Sequence, residues 1–268
     1  MAKIKVGIAG CLGRMGQELT KQILVDKNFL FVGGYEYKSH PKIGKKLNEV
    51  SDINSDHLVT SNATSIFKIA DVVIDFTTPQ STLKNAKIAS TLKTALVIGT
   101  TGMNNSQKNK IRDFAKKTPI LMSSNMSIGV NLLFNLVKQA SASLGGNEYD
   151  IEIAETHHKH KVDAPSGTAL SLGDYAAQGR KTKLDKVKIL DRTKSLRKRK
   201  DGDIGFSVTR GGEIAGEHIV SFISKNDRVD IVHKANDRSI FVSGALKAAM
   251  FVSKKKRGFF DMSSLIKK

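Results

Sequence analysis

The sequence predicts an α/β fold: an N-terminal, doubly wound parallel sheet, followed by a central α+β region with a mixed open sheet. Three observations predict it. Up to about residue 126, short apolar strand patterns alternate with helical ones; beyond it, longer helices and half-buried strands take over. A glycine-rich turn sits between the first strand pattern and the first helical one. The 268 residues, 40% hydrophobic and 26% charged, suit one large domain or two modest ones and exclude a disordered chain.

The strand patterns 4–9, 30–35, 72–76, 95–99 and 120–123 are near-continuous apolar runs, as expected of parallel strands covered on both faces. Helical stretches at 15–25, 79–92 and 107–116 separate them, and this alternation argues for an open doubly wound sheet. After residue 126 a helix is expected at 128–144. A strand follows at 149–155, where Ile151 and Ile153 alternate with Glu152 and Ala154. A second helix spans 169–177, and the alternating segments 204–209, 217–224 and 228–234 predict an antiparallel or mixed sheet. The apolar helix 239–252 is a candidate to rejoin the first domain.

Lys and Arg total 44 against 25 Asp and Glu, giving a net charge of +19. That balance raises the question of a nucleic-acid partner. The pattern argues against one, because 34 of the cations are lysines scattered from Lys3 to Lys268 and not gathered on one segment. The dense run 194–200 lacks aromatics for base stacking, and Trp is absent from the chain. That run reads as a solvated loop. No apolar stretch approaches a membrane span, and residues 1–6 lead into a strand pattern without a signal-peptide pattern. A soluble, cytoplasmic protein with no membrane partner is expected. The single cysteine, Cys11, excludes an internal disulfide framework and a cysteine-based zinc cage.

The first chemical motif is G-C-L-G-R-M-G, with Gly10, Gly13 and Gly16 around Arg14 and Met15. Placed after a strand and opening a helix, it suits a pyrophosphate, which free N–H groups at a helix N-terminus hold. Glu36 follows Gly16 by twenty residues, at the end of the second strand pattern, where an acid accepts bonds from a ribose. Two further strand ends, Phe76-Thr77-Thr78 and Gly99-Thr100-Thr101-Gly102, lie at the carboxyl edge where such sheets bind ligands.

The densest constellation is E-T-H-H-K-H-K-V-D-A-P-S-G-T-A, residues 155–169, which holds three of the seven histidines within four positions. It lacks H-E-x-x-H spacing and follows a strand, so no metal site is expected. Histidine and lysine together offer a proton near neutral pH and a cation for a carboxylate. Ser166-Gly167-Thr168 then opens a helix, adding hydroxyls, N–H groups and a dipole that favour an anion. A cofactor turn upstream and a carboxylate cradle downstream suggest hydride transfer to an acidic small molecule.

With these motifs together, the chain resembles the 4-hydroxy-tetrahydrodipicolinate reductase (dihydrodipicolinate reductase) family nearly end to end. G-C-L-G-R-M-G, G-T-T-G, S-S-N-M-S-I-G-V-N (123–131), H-H-K-H-K-V-D-A-P-S-G-T and the stretch 204–222 carry the likeness. The resemblance implies a Rossmann-type domain over 1–126, completed by 239–268, and a substrate and oligomerisation domain over 127–238 that assembles a homotetramer. It implies reduction of a small dicarboxylate, with loss of water, by NADH or NADPH in lysine and diaminopimelate biosynthesis. His157 would be the general acid with Lys161 its partner; His158, Lys161, Ser166, Gly167 and Thr168 would hold the substrate carboxylates. Cofactor contacts would come from Gly10, Gly13, Arg14, Met15, Gly16, Glu36, Tyr37, Lys38, Phe76, Gly99, Thr100, Thr101, Gly102, Ser123, Asn125 and Met126.

One departure bears on the cofactor. Where many relatives carry an arginine after the ribose-binding acid, this chain reads Glu36-Tyr37-Lys38. An ammonium lacks the planar fork that pairs with a 2′-phosphate, so NADH is expected to serve at least as well as NADPH. Two other classes fit part of the sequence. A non-catalytic dinucleotide sensor has no need of His157 and Lys161. Another oxidoreductase of this fold remains open, except those with a cysteine nucleophile, because Cys11 lies inside the glycine turn.

Overall fold

The computed structural model describes residues 2–193 and 197–266. The chain divides into two compact units: Met1–Ser127 with Phe241–Lys268, and Ile128–Ile240.

The first unit is built on β1 (Ile4–Ala9), β2 (Phe29–Tyr35), β3 (Val72–Asp75), β4 (Ala95–Ile98), β5 (Pro119–Met122) and β11 (Gly258–Phe260), in the order β11-β5-β4-β3-β1-β2. Every neighbouring pair is parallel. β3 and β4 are buried throughout and, apart from Asp75 and Ala95, consist of Val, Ile and Leu, as central strands covered on both faces require. The helices are α1 (Arg14–Val25), α2 (Leu47–Val50), α3 (Ala63–Ile69), α4 (Pro79–Leu92) and α5 (Asn105–Ala115). Thr78 caps α4, with Pro79 at its first turn, and Asn104 and Gln107 form a reciprocal cap on α5. The core joins Phe67, Val73, Ala86, Leu96, Ile98, Ile111 and Ile120, each such side chain contributing about 1.5–3 kcal/mol when large.

The second unit holds β6 (Asp150–His157), β7 (Lys188–Ile189), β8 (Ile204–Arg210), β9 (Gly216–Ile223) and β10 (Arg228–Ala235) in the order β10-β9-β6-β8-β7. β9 pairs antiparallel with β6 and β10, while β8 runs parallel to β6 and β7, so the sheet is mixed. Its helices are α6 (Ile128–Ser143), α7 (Gly167–Gly179) and α8 (Leu184–Val187). Val130, Leu133, Phe134 and Val137 of α6 meet Ile151 and Ile153 of β6, Leu172 of α7 and Phe222 of β9 in one core. Phe134 stacks on Tyr175 at 4.9 Å between ring centres. The last helix, α9 (Ser239–Val252), buries Val242, Ala245, Leu246, Ala248, Ala249 and Val252.

In the run read as a solvated loop, 194–200, the described residues lie in no helix or strand, and 197, 198 and 200 are exposed while Arg199 is half-buried. Residues 194–196 lie outside the described part. Arg197 pairs with Asp203 at 3.2 Å, and Arg199 pairs with Asp150 at 2.6 Å and with Glu152. Arg199 also donates to the carbonyls of Ile151 and Asp203. Asp150 and Glu152 of β6 draw the Arg199 guanidinium onto the sheet, so that residue serves the fold.

Candidate active site

In the first unit, β1 ends at the glycine turn. Gly10 has φ +71°, a left-handed conformation that glycine adopts without strain. A Cβ at Gly16 would lie 2.1 Å from the Gly10 carbonyl oxygen, so no side chain fits where α1 crosses the turn. Gly13 precedes α1 without a side-chain cap, and no acid sits in the first turn. The helix therefore opens with N–H groups turned to an incoming anion. Glu36, just past β2, accepts the Leu12 N–H at 2.8 Å, which fixes the acid against the turn. Arg14, Tyr37 and Lys38 are exposed and Met15 is half-buried. Burial, and Glu36 after it, push the Cys11 thiol up to about 12, so it stays protonated.

The next two strand ends are tied together by a residue to which the sequence reading gave no role. Asp75, fully buried at the end of β3, accepts the Thr77 N–H at 3.0 Å, the Thr77 hydroxyl at 2.6 Å and Asn85 Nδ2 at 2.9 Å. Burial raises its pKa, opposed by the bonds from Thr77 and Asn85. The Thr100 hydroxyl donates to Asp75 at 3.3 Å and accepts from the Thr77 N–H at 3.0 Å and Thr82 at 2.8 Å. The Thr100 side chain is buried and spent on the Asp75 network, which leaves its backbone groups to line the loop. The Phe76 ring lies against Gly99, where a Cβ would come within 2.2 Å of it. Thr101 and Gly102 are exposed. Ser123 donates to the Asn125 carbonyl at 2.7 Å, the Asn125 side chain accepts the Ser127 N–H at 2.8 Å, and Met126 is buried. The Met126 side chain belongs to the interior. The uncapped helix, the glycine turn and the anchored acid fit a dinucleotide.

In the second unit, the site forms at the end of β6. Alternation puts Glu155 and His157 on one face of the strand. His157 Nδ1 lies 2.5 Å from Glu155 Oε2, and both side chains are buried. Since a carboxylate only accepts, the proton sits on Nδ1 and leaves the lone pair on Nε2, which faces Gly216. Burial, outweighing Glu155, holds the His157 pKa below its ordinary value. Glu155 Oε1 also accepts the Ser166 N–H at 2.9 Å, and Arg210 grips both carboxylate oxygens at 2.8 Å. Although burial opposes it, these bonds keep the Glu155 pKa below the usual carboxylate range.

Ser166 caps α7, its hydroxyl accepting the Ala169 N–H at 3.1 Å. It also meets His218 Nε2 at 3.1 Å, while His218 Nδ1 is buried without a partner. An orphaned acceptor is cheaper to bury than an orphaned N–H, which assigns the His218 proton to Nε2. Ser166 then accepts twice and retains its own hydrogen to give to a ligand. Burial drives the His218 pKa down to about 3. Lys161 is bound to Asp163 at 2.7 and 2.9 Å and lies near enough to His157 to lower its proton affinity. His158 accepts from Arg238 at 3.1 Å through Nε2, and its Nδ1 is buried without a partner. Lys159 and His160 turn outward to Glu213 at 3.8 and 3.6 Å, so only part of the histidine cluster converges. Gly167 and Thr168 form the first turn of α7. Among the described residues, no group of His, Cys, Asp and Glu is placed to hold a metal ion.

Comparison with known proteins puts these features in a family. The chain matches "Dihydrodipicolinate reductase, N-terminus" over residues 4–126 and "Dihydrodipicolinate reductase, C-terminus" over residues 129–266. The chain belongs to the dihydrodipicolinate reductase family. Proteins named 4-hydroxy-tetrahydrodipicolinate reductase from Bartonella tribocorum and Parvibaculum lavamentivorans are 41% and 42% identical over 266 and 267 residues. These matches cover 98% and 99% of this chain and 98% of each relative. A solved dihydrodipicolinate reductase from Paenisporosarcina, bound to dipicolinate, is 25% identical with a TM-score of 0.77, covering 99% of this chain and 100% of that one. A diaminopimelate dehydrogenase from C. glutamicum, 14% identical with a TM-score of 0.53 and covering 98% and 93%, shares the fold.

The sequence reading gave no role to Glu155, Arg210, His218, Arg238 or Asp75. Glu155 was findable, because it stands two residues before His157 on an alternating strand. Arg210 and His218 reach the site through pairing of β6 with β8 and β9, opposite His157 and Glu155 respectively, and no local pattern encodes that register.

Proposed function

We propose that the protein reduces 4-hydroxy-tetrahydrodipicolinate to tetrahydrodipicolinate with NADH or NADPH, releasing water, in lysine and diaminopimelate biosynthesis. The observation that carries this reading is the end of β6, where a buried Glu155–His157 pair meets the Ser166-capped start of α7 inside the family's C-terminal region. When bound, the reduced nicotinamide supplies a hydride. The first unit holds its pyrophosphate on the N–H groups that open α1 and its ribose on the free oxygen of Glu36. The loops 76–78 and 99–102, joined by Asp75, shape the site for the nicotinamide.

The second unit holds the diacid. The Ser166 hydroxyl, the first-turn groups of Gly167 and Thr168, His158 and Lys161 take its carboxylates, with the α7 dipole favouring the negative charge. Lys161 exchanges Asp163 for a substrate carboxylate. His157 is neutral in the free protein near pH 7, and a dianion beside it raises its proton affinity. The ring then enters the complex protonated on Nε2. As hydride reaches C4, His157, with Lys161 beside it, delivers the proton that the departing hydroxyl needs to leave as water. Assembly as a homotetramer through the second unit and a cytoplasmic location belong to the same reading. Val208, Val229 and Val232, exposed on its sheet, support the first, and among the described residues no helix is long and apolar enough to cross a membrane.

The test is an assay with freshly made substrate, following NADH and NADPH oxidation separately. Substrate-dependent oxidation of either is expected; none with both, by folded protein, contradicts the reading.

A further inference from the structure

The Glu155 carboxylate is fully buried and holds three groups at once: the His157 ring, the Ser166 N–H and the Arg210 fork. Arg210 ends β8, in register with His157 on β6. It is itself fixed by the carbonyls of Lys161 at 3.3 Å, Asp163 at 2.6 Å and Thr209 at 2.8 Å. The pair Glu155–His157 alone would be a poor proton donor. A buried, unneutralised carboxylate 2.5 Å from an imidazole stabilises the imidazolium and holds its proton. A guanidinium bonded to both oxygens cancels that charge and adds a second cation near the ring.

We propose that Arg210 is a positioning residue that sets the acidity of His157 through Glu155, keeping the ring able both to take a proton and to release it. Arg210 does not touch substrate in this account. Its hold on the carbonyls at 161 and 163 also anchors the loop that carries Lys161. The other charged and titratable groups facing His157 come from two elements. β9 supplies His218, its ring 5.1 Å away, and the 158–166 loop supplies Lys161 with Asp163 as counter-ion. Opposite Nε2, β9 presents Gly216, and the next residue, Glu217, is paired with Lys234 of β10. None of these bonds to Glu155, so Arg210 is the group whose removal changes the charge His157 sees through its own hydrogen bond. Burial and the neighbouring cations already leave the ring with a lowered pKa, in keeping with a neutralised Glu155.

The inference rests on the reading of His157 as proton donor, yet its test does not need substrate. In the full-length protein, the ring signals of His157 are followed by NMR as pH is varied, for the native chain and for Arg210→Gln, Arg210→Lys and Glu155→Gln. Arg210→Gln should raise the His157 proton affinity about tenfold or more, and Glu155→Gln should lower it by a similar factor. Arg210→Lys, which keeps a charge but loses the fork, should give a smaller rise and serves if the Gln variant does not fold. The inflection of kcat/KM assigned to His157 should move with the ring. An unmoved or lowered titration in the Arg210 variants, or the same direction in the Arg210 and Glu155 variants, overturns the proposal. Failure of the native protein to oxidise NAD(P)H with substrate would overturn the proposed reaction and leave these titrations standing.

Discussion

Asp75→Ala is the perturbation whose size the structure defines best. The carboxylate binds Thr77 through its N–H and hydroxyl and Asn85 through Nδ2, and receives the Thr100 hydroxyl. After truncation the Thr77 N–H keeps Thr100 Oγ1 as a partner at 3.0 Å. Asn85 Nδ2 loses its partner, the Thr77 hydroxyl is left with Thr82 Oγ1 at 3.4 Å, and each donor so orphaned or weakened costs about 1–3 kcal/mol. Relief of a buried charge offsets part of this, so the net loss is about 3 kcal/mol. For a unit of this size that lowers Tm by roughly 6–12 °C. The same change unties the loops 76–78 and 99–102, so KM for NADH should rise several-fold. Calorimetry on the full-length protein and steady-state kinetics check both. Asp75→Asn keeps an acceptor for Thr77 and should lose less than half as much. A fall in Tm of under about 2 °C for Asp75→Ala, with KM unchanged, would show that the carboxylate does not hold these loops.

Further expectations concern the substrate clamp, the cofactor and pH. Thr168→Ala should raise KM for the dicarboxylate more than it lowers kcat, because a carboxylate is held in ground and transition states alike; the reverse split would argue against a clamp. NADH should be used at least as well as NADPH, since Lys38, exposed near Glu36, offers a 2′-phosphate only a point charge where an arginine would offer a fork. A hundredfold preference for NADPH in kcat/KM would refute this. His218, with its folded pKa near 3 against an ordinary 6.5, gives stability that is present above pH 6.5 and lost as pH falls towards 3. At pH 5 the loss relative to pH 7 is about 2 kcal/mol. His218→Gln should flatten the fall in Tm between pH 7 and 5; an unchanged slope would contradict the burial argument.

Much of the fold is legible because its signals are local. The apolar runs of β1, β3, β4 and β5 and the turn at Gly10 each announce themselves within a few residues. β11 does not, because three residues after a basic stretch become a strand only by pairing with β5. α3 was missed for a similar reason, being seven residues long and held by Ile66 and Phe67 against the sheet. At the site, His157, Lys161 and Ser166 stand out as residue types in one short stretch, but what governs them does not. Arg210 and His218 are set by strand register, and Thr100 turns inward because Asp75 lies buried beneath it. The fate of the 197–200 segment likewise depends on Asp150, Glu152 and Asp203, which neutralise its arginines from elsewhere in the unit.

The central claim is that His157 and Lys161 deliver the proton that accompanies hydride transfer, and single-turnover and steady-state kinetics of His157→Gln and Lys161→Ala test it most directly. Each variant, shown to be folded and to bind NADH, should lose about 10²–10⁴-fold in kcat. Native kcat in both would contradict the account.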